Sequence, residues 1–201
     1  MASAEGGKAV KKLLLLFVTV LMTLAGLVIN VQPAQGHHTP GTGPVYDWRW
    51  AYQALSNMCL DNHSSFPAQT ATGEWNKATE LVLRYEGCGS YPSWARIDLY
   101  NGINSAKPGC WYSEASFDAY NRVSVMRIFL NTTKPECWST TIRTNHWVSQ
   151  AIGGALGLRG INTYPPDYVS VMRTGSQDTV SWPQTWDRRT FNEHNDCGCH
   201  A

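Results

Sequence analysis

Six cysteines, Cys59, Cys88, Cys110, Cys137, Cys197 and Cys199, all lie downstream of an apolar leader, and that ordering constrains the fold more than any other feature. The leader has Lys8, Lys11 and Lys12 as a basic flank, an uncharged apolar run from Leu13 to Ile29, and small residues at Ala34-Gln35-Gly36. This is the pattern of a secretory signal, so residues 1–36 are expected to be a signal peptide and the rest secreted. The run also approaches the length that crosses a bilayer, which leaves an uncleaved signal anchor as the one membrane attachment open to the chain. In an oxidising, extracellular setting cysteines pair, and the pairs staple the core. Sequence does not choose among the pairings of six cysteines. Cys59–Cys88 and Cys110–Cys137 are the expected ones, since each pair brackets one predicted element, with Cys197 and Cys199 as further disulfide candidates.

The 201 residues suit one domain. Residues 37–44, rich in Gly, Pro and Thr, read as a flexible lead-in, and the domain is expected over 45–201. Removing the leader leaves 13 of the 16 basic residues and 14 of the 15 acidic ones. A nucleic-acid partner is therefore not expected, because neutralising phosphates takes clustered basic charge. Trp75, Ala78, Leu81, Val82 and Tyr85 recur at helical steps, which predicts a helix over Thr72–Tyr85, capped by Thr72 and stopped by Gly87. Alternation predicts strands over Ala95–Tyr100 and Val123–Leu130. Ile142, Val148, Ile152 and Leu156 predict a second long helix over Thr140–Leu158. Pro165 and Pro166 make 161–168 a loop, and Thr185–His194 is expected to form a C-terminal helix. The expected class is α/β (α+β): a twisted mixed sheet with two long helices and the C-terminal one.

One stretch bears on chemistry. Gln150-Ala151-Ile152-Gly153-Gly154-Ala155-Leu156-Gly157-Leu158-Arg159-Gly160 is followed twelve positions later by Met172, in Ser170-Val171-Met172. It resembles the metzincin zinc signature, HExxHxxGxxH with its Met-turn, and the filling Ala155-Leu156-Gly157-Leu158 is similar to matrixin-type metallopeptidases. In an active member two His one helical turn apart face the metal, Glu polarises the bound water, and Gly turns the chain to bring in a third His. Carried over by position, the first His falls on Gln150, the Glu on Ala151, the second His on Gly154 and the third on Gly160. The structural positions Gly157 and Met172 are kept. Glycine and alanine offer no side-chain donor, so the resemblance, covering about 45–195, implies a frame with no metal site, no catalytic residue and no cofactor.

The function expected on that basis is a secreted, catalytically inactive pseudopeptidase. Its vestigial cleft would bind a peptide or protein by strand addition along an Arg127–Asn131 edge. Two alternatives stand beside it: an active secreted zinc metalloendopeptidase with unorthodox ligands, for which zinc would be the cofactor, and a glycan or cell-wall binding module using Trp48, Trp50, Trp182 and Trp186. His146, one turn before Gln150, reads as a structural histidine. His194, Cys197, Cys199 and His200 have metal-ligand residue types, as does a His37-His38 terminus with no third partner. Asn62-His63-Ser64 and Asn131-Thr132-Thr133 match the glycosylation acceptor pattern. Two helical glycines, Gly153 and Gly154, each cost about 1 kcal/mol against alanine, so Gly154→Ala is expected to stabilise the fold if that position is helical and unneeded for function, and to destabilise it if the position is closely packed or non-helical.

Overall fold

Met58, Cys59 and Leu60 form a continuous apolar run, and such a run suits a strand covered on both faces. In the computed structural model, which describes residues 50, 58–79, 82–90, 96–160, 169–173 and 178–196, these three are fully buried. They lie in β1 (Met58–Asn62), which pairs in parallel with β2 (Leu83–Tyr85) on one side and β3 (Arg96–Gly102) on the other. β3 pairs in parallel with β5 (Val123–Asn131), and β4 (Trp111–Phe117) closes the sheet antiparallel to β5. The result is a mixed five-stranded sheet in the order β2-β1-β3-β5-β4, an α+β arrangement with three helices among the described residues.

The expected strands at 95–100 and 123–130 are present as β3 and β5. The Arg127–Asn131 segment, however, is not an edge. β5 lies between β3 and β4, so its backbone groups are used on both sides, and the edge belongs to β4.

The helix expected over Thr72–Tyr85 is also displaced. The helix α1 spans Ala68–Ala78, after Pro67. Thr72 sits inside it, with its hydroxyl donating back to the Ala68 carbonyl at 2.9 Å. Thr79 turns extended, and Leu83 and Tyr85 go to the sheet, with Val82 left exposed. Glu86 and Gly87 then take positive φ, 61° and 73°, to reverse the chain. A helical spacing that includes Val82 and Tyr85 thus yields to the pairing of Leu83 and Tyr85 with Met58 and Leu60, a tertiary contact that local periodicity does not register, and Leu81 lies outside the described residues.

The two other helices match their expected spans closely. Thr140 caps α2 (Thr141–Ala155), its hydroxyl accepting from the Arg143 N–H at 3.2 Å. The helix α3 spans Thr185–Asp196. Leu60, Ile97, Leu99, Met126, Ile128 and Leu130 turn one face of the sheet into a core with Trp75, Val148 and Ile152. Ile142, counted on the apolar side of α2, is instead exposed at the helix start. The opposite face of the sheet carries a row of stacked rings, His63, Tyr100, Phe129 and Tyr112, with neighbouring centroids 4.9, 5.8 and 4.9 Å apart.

Disulfides join Cys59 to Cys88 and Cys110 to Cys137, the expected pairs. Cys197, Cys199 and His200 lie outside the described residues, as do the leader, the lead-in, Trp48 and the 161–168 loop. No helix among the described residues is long and apolar enough to cross a membrane.

Candidate functional site

The second half of α2 is buried without interruption from His146 to Ala155. Its two glycines are there for space. A Cβ on Gly153 would stand 2.6 Å from both the Met172 sulfur and Cζ2 of Trp75. On Gly154 it would fall inside the indole of Trp111, which reaches down from β4 onto the helix. The helix then ends in a paired-carbonyl cap: Gly157 adopts φ +101°, its N–H donates to the Gly154 carbonyl at 3.1 Å, and Leu158 N–H donates to the Gly153 carbonyl at 3.0 Å. Glycine is needed at 157 for the backbone, and also because a Cβ there would crowd Nε2 of His194 at 2.9 Å.

Gln150 is 4% exposed and both ends of its amide are used. Its Oε1 accepts from Trp111 Nε1 at 3.0 Å and its Nε2 donates to the Val171 carbonyl at 3.2 Å. The 170–172 turn is clamped from α3. Asp187 Oδ1 accepts the Ser170 hydroxyl at 2.5 Å, while Oδ2 accepts the N–H groups of Val171 at 3.0 Å and Gln184 at 2.8 Å. Ser170 Oγ in turn accepts the Met172 N–H at 2.9 Å. Burial pushes the Asp187 carboxyl above its ordinary range, and these donors pull it back.

Part of the stretch that resembles the signature lies against the 170–172 turn. Gln150 touches Val171, Gly153 lies on Met172, and Gly160 comes nearest the Met172 carbonyl, 3.9 Å from where its Cβ would be. Ala151 is fully buried in the core. Beside them opens a cleft of about 540 Å³, lined among others by Trp111, Ser113, Arg143, Trp147, Gln150 and Gly160. The Cys110–Cys137 disulfide forms part of its wall. Arg143 pairs through Nε and Nη2 with Asp178 and donates from Nη1 to the Glu136 carbonyl at 3.1 Å.

The position of Trp111 reverses the expectation for Gly154. The added methyl of Gly154→Ala has to displace the indole and break its bond to Gln150, a cost of about 1–3 kcal/mol that outweighs the helix-propensity gain of about 1 kcal/mol. Gly154→Ala is therefore expected to lower the denaturation midpoint in the native chain. In a Trp111→Ala background the same change should be neutral or stabilising. A double-mutant cycle of chemical denaturation checks both, and purely additive effects would reject this packing account.

His146 does not reach the cleft. It is fully buried, with Nδ1 2.6 Å from the Val180 carbonyl, so Nδ1 is the protonated nitrogen. Its Nε2 is buried without a hydrogen-bond partner. Burial holds its pKa below 6.5, against opposing pulls from the Val180 carbonyl and Asp178. The folded state then takes up this proton at lower pH than the unfolded chain does. Stability is complete above the ordinary histidine range and declines as pH falls below about 6.5. Asp178, whose carboxyl Arg143 holds low, contributes a similar loss in the more acidic carboxylate window. Denaturation midpoints near neutrality and near pH 5 should differ in that direction, and His146→Asn, which keeps a donor for Val180, should flatten the upper part of the slope.

Of the tryptophans assigned to a sugar-binding groove, Trp50 and Trp186 are buried and Trp182 is half-buried. Trp50 Nε1 donates to the Ala155 carbonyl at 2.8 Å and so completes the end of α2. His194 is 7% exposed and packs against Gly157, while Cys197, Cys199 and His200 lie outside the described residues. The acceptor asparagines are tied into the fold as well. Asn62 Nδ2 donates to the Phe66 carbonyl and the Tyr85 hydroxyl. Asn131 is fully buried, its Nδ2 facing the carbonyls of Asn104, Lys107 and Gly109. Asp61, His63 and Asp98 approach one another in a metal-like grouping. Arg96 already stands between the two carboxylates, 2.5 Å from Asp98 and 3.4 Å from Asp61.

Sequence reasoning missed Trp111, which lines the cleft, and Asp187, which clamps the 170–172 turn. A tryptophan opening the weakly alternating run Trp111-Tyr112-Ser113-Glu114-Ala115 was the available signal for the first. An acidic residue in the first turn of α3 was the signal for the second. Together the fold and cleft define an α+β domain with a mixed sheet and, among the described residues, two disulfides. No protein family, curated protein or solved structure matches the chain.

Proposed function

We propose that the chain is an exported, metzincin-like domain without catalytic power, which binds an extended peptide along the outer edge of β4, unpaired among the described residues, with side chains entering the adjoining cleft. The observation that carries this reading is the pairing of a strand edge that no described strand covers with a cleft where Gln150, Ala151, Gly154 and Gly160 provide no metal-binding set. Gln150 spends both amide groups on Trp111 and Val171, and the space over Gly154 is filled by an indole. The two disulfides are compatible with export.

Asn131 N–H donates to the Cys110 carbonyl at 2.8 Å, which puts Cys110 in the set bonded to β5. Antiparallel alternation then turns the N–H and C=O groups of Trp111, Ser113 and Ala115 outward, where an added strand would meet them. Proline at an outward position keeps the ladder to β5 and removes a donor from the edge. Ser113→Pro is therefore expected to weaken binding of extended peptides at least about tenfold, the worth of one or two lost hydrogen bonds, with little change in stability. Screening a library of extended peptides against the immobilised mature chain and its Ser113→Pro variant tests this. Equal binding by both would remove the strand-addition reading, and chelator-sensitive hydrolysis of those peptides would remove the non-catalytic one.

A further inference from the structure

The place that Trp111 occupies is shaped for an indole more than for apolar filling in general. Its floor is the Cβ-free backbone at Gly154, a flat wall on which a planar ring can lie. Its polar end is Gln150 Oε1, aimed by the amide's other bond to the Val171 carbonyl and receiving the ring N–H at 3.0 Å. The tenant itself is less buried than the seat. Trp111 is half-buried on the edge strand, and the cleft of about 540 Å³ opens directly beside it.

We propose that this seat is a recognition site for an indole side chain of the bound peptide, and that Trp111 is its resident occupant, displaced into the cleft when the peptide docks. The proposal rests on the peptide-binding reading for its natural ligand. The chemistry it requires is explicit: one planar ring on the glycine wall and one ring N–H to Gln150 Oε1. An internal occupant lowers apparent affinity by the fraction of time that it keeps the seat closed, so removing it must raise affinity.

N-acetyltryptophanamide is the probe. Trp111→Ala is expected to bind it at least about tenfold more tightly than the native chain. Gln150→Met added to that variant should return affinity to the native level. A Trp111→Ala protein that binds the probe no better than the native chain overturns the proposal. Should Trp111→Ala lose its fold, the indole N–H resonance of Trp111 in the native protein becomes the readout. Saturating probe is expected to move it, and a signal that stays in place overturns the proposal equally. The two readings part cleanly. Probe binding by Trp111→Ala with no peptide binding by any variant leaves the seat and removes strand addition, whereas peptide binding indifferent to tryptophan in the peptide does the reverse.

Discussion

Asp187→Ala is expected to cost about 4 kcal/mol of folding stability, a large share of what a domain of this size possesses. One carboxylate satisfies three donors, the Ser170 hydroxyl and the N–H groups of Val171 and Gln184, and it is fully buried. Alanine strands all three in a place water does not reach. Each stranded donor costs about 1–3 kcal/mol, with the lower end applying where the turn can relax. Asp187→Asn separates shape from charge: its carbonyl oxygen can still accept the two N–H groups, and its amide can donate to Ser170 Oγ. A loss of about 1 kcal/mol is expected for it. Urea unfolding of the two variants is the measurement. If alanine proves no worse than asparagine, the clamp contributes little.

Asn131→Asp should be comparably severe, although it changes a single amide to an isosteric acid. The Asn131 amide nitrogen faces three main-chain carbonyls, at 3.0, 3.3 and 3.1 Å, and the residue has no exposure. An ionised carboxylate would set negative oxygen against negative oxygen with no counter-charge, for a loss of about 3–5 kcal/mol at neutral pH. The folded state can escape only by keeping the new acid protonated. Its pKa would therefore lie above the unfolded value, and stability would rise as pH falls towards and through the carboxylate range. That inverted dependence distinguishes charge from lost shape. Asn131→Ala, which loses the same bonds without introducing charge, should show no such recovery in acid.

The two long helices and the central strands differed in how openly the sequence displayed them. α2 was legible because Thr140 marks its start and Gly157 its end, both through local chemistry. β1 was not, because a short run buried on both faces has no alternation to read. β2 borrowed a helical spacing from α1, and β5 looked like an edge because nothing local marks β4 as the strand beyond it. The disulfide pairs followed from their spacing around predicted elements, and both joined as expected.

The cleft was less legible than the fold. The positions of Gln150, Gly154 and Gly160 could be singled out from the sequence, but not what packs on them, since Trp111 lies 43 residues before Gly154 in the chain. The same distance explains the error over Gly154→Ala: helix propensity is a local quantity, and the indole that opposes it is not. Asn131 was read as a glycosylation acceptor for a similar reason, the pattern being three residues long and the burial contributed by a loop more than twenty residues away.

Trp50 stands eight residues ahead of β1, forms a bridge with Val123 at the start of β5, and donates to the last carbonyl of α2. A shortened chain that starts at Met58 would retain every described helix and strand and still lack this fastener. The hydrophobic shell would open at one corner, with the Ala155 carbonyl stripped of its donor. A fragment meant to keep this contact therefore begins upstream of β1, and any experiment that transplants the domain should carry residue 50 with it.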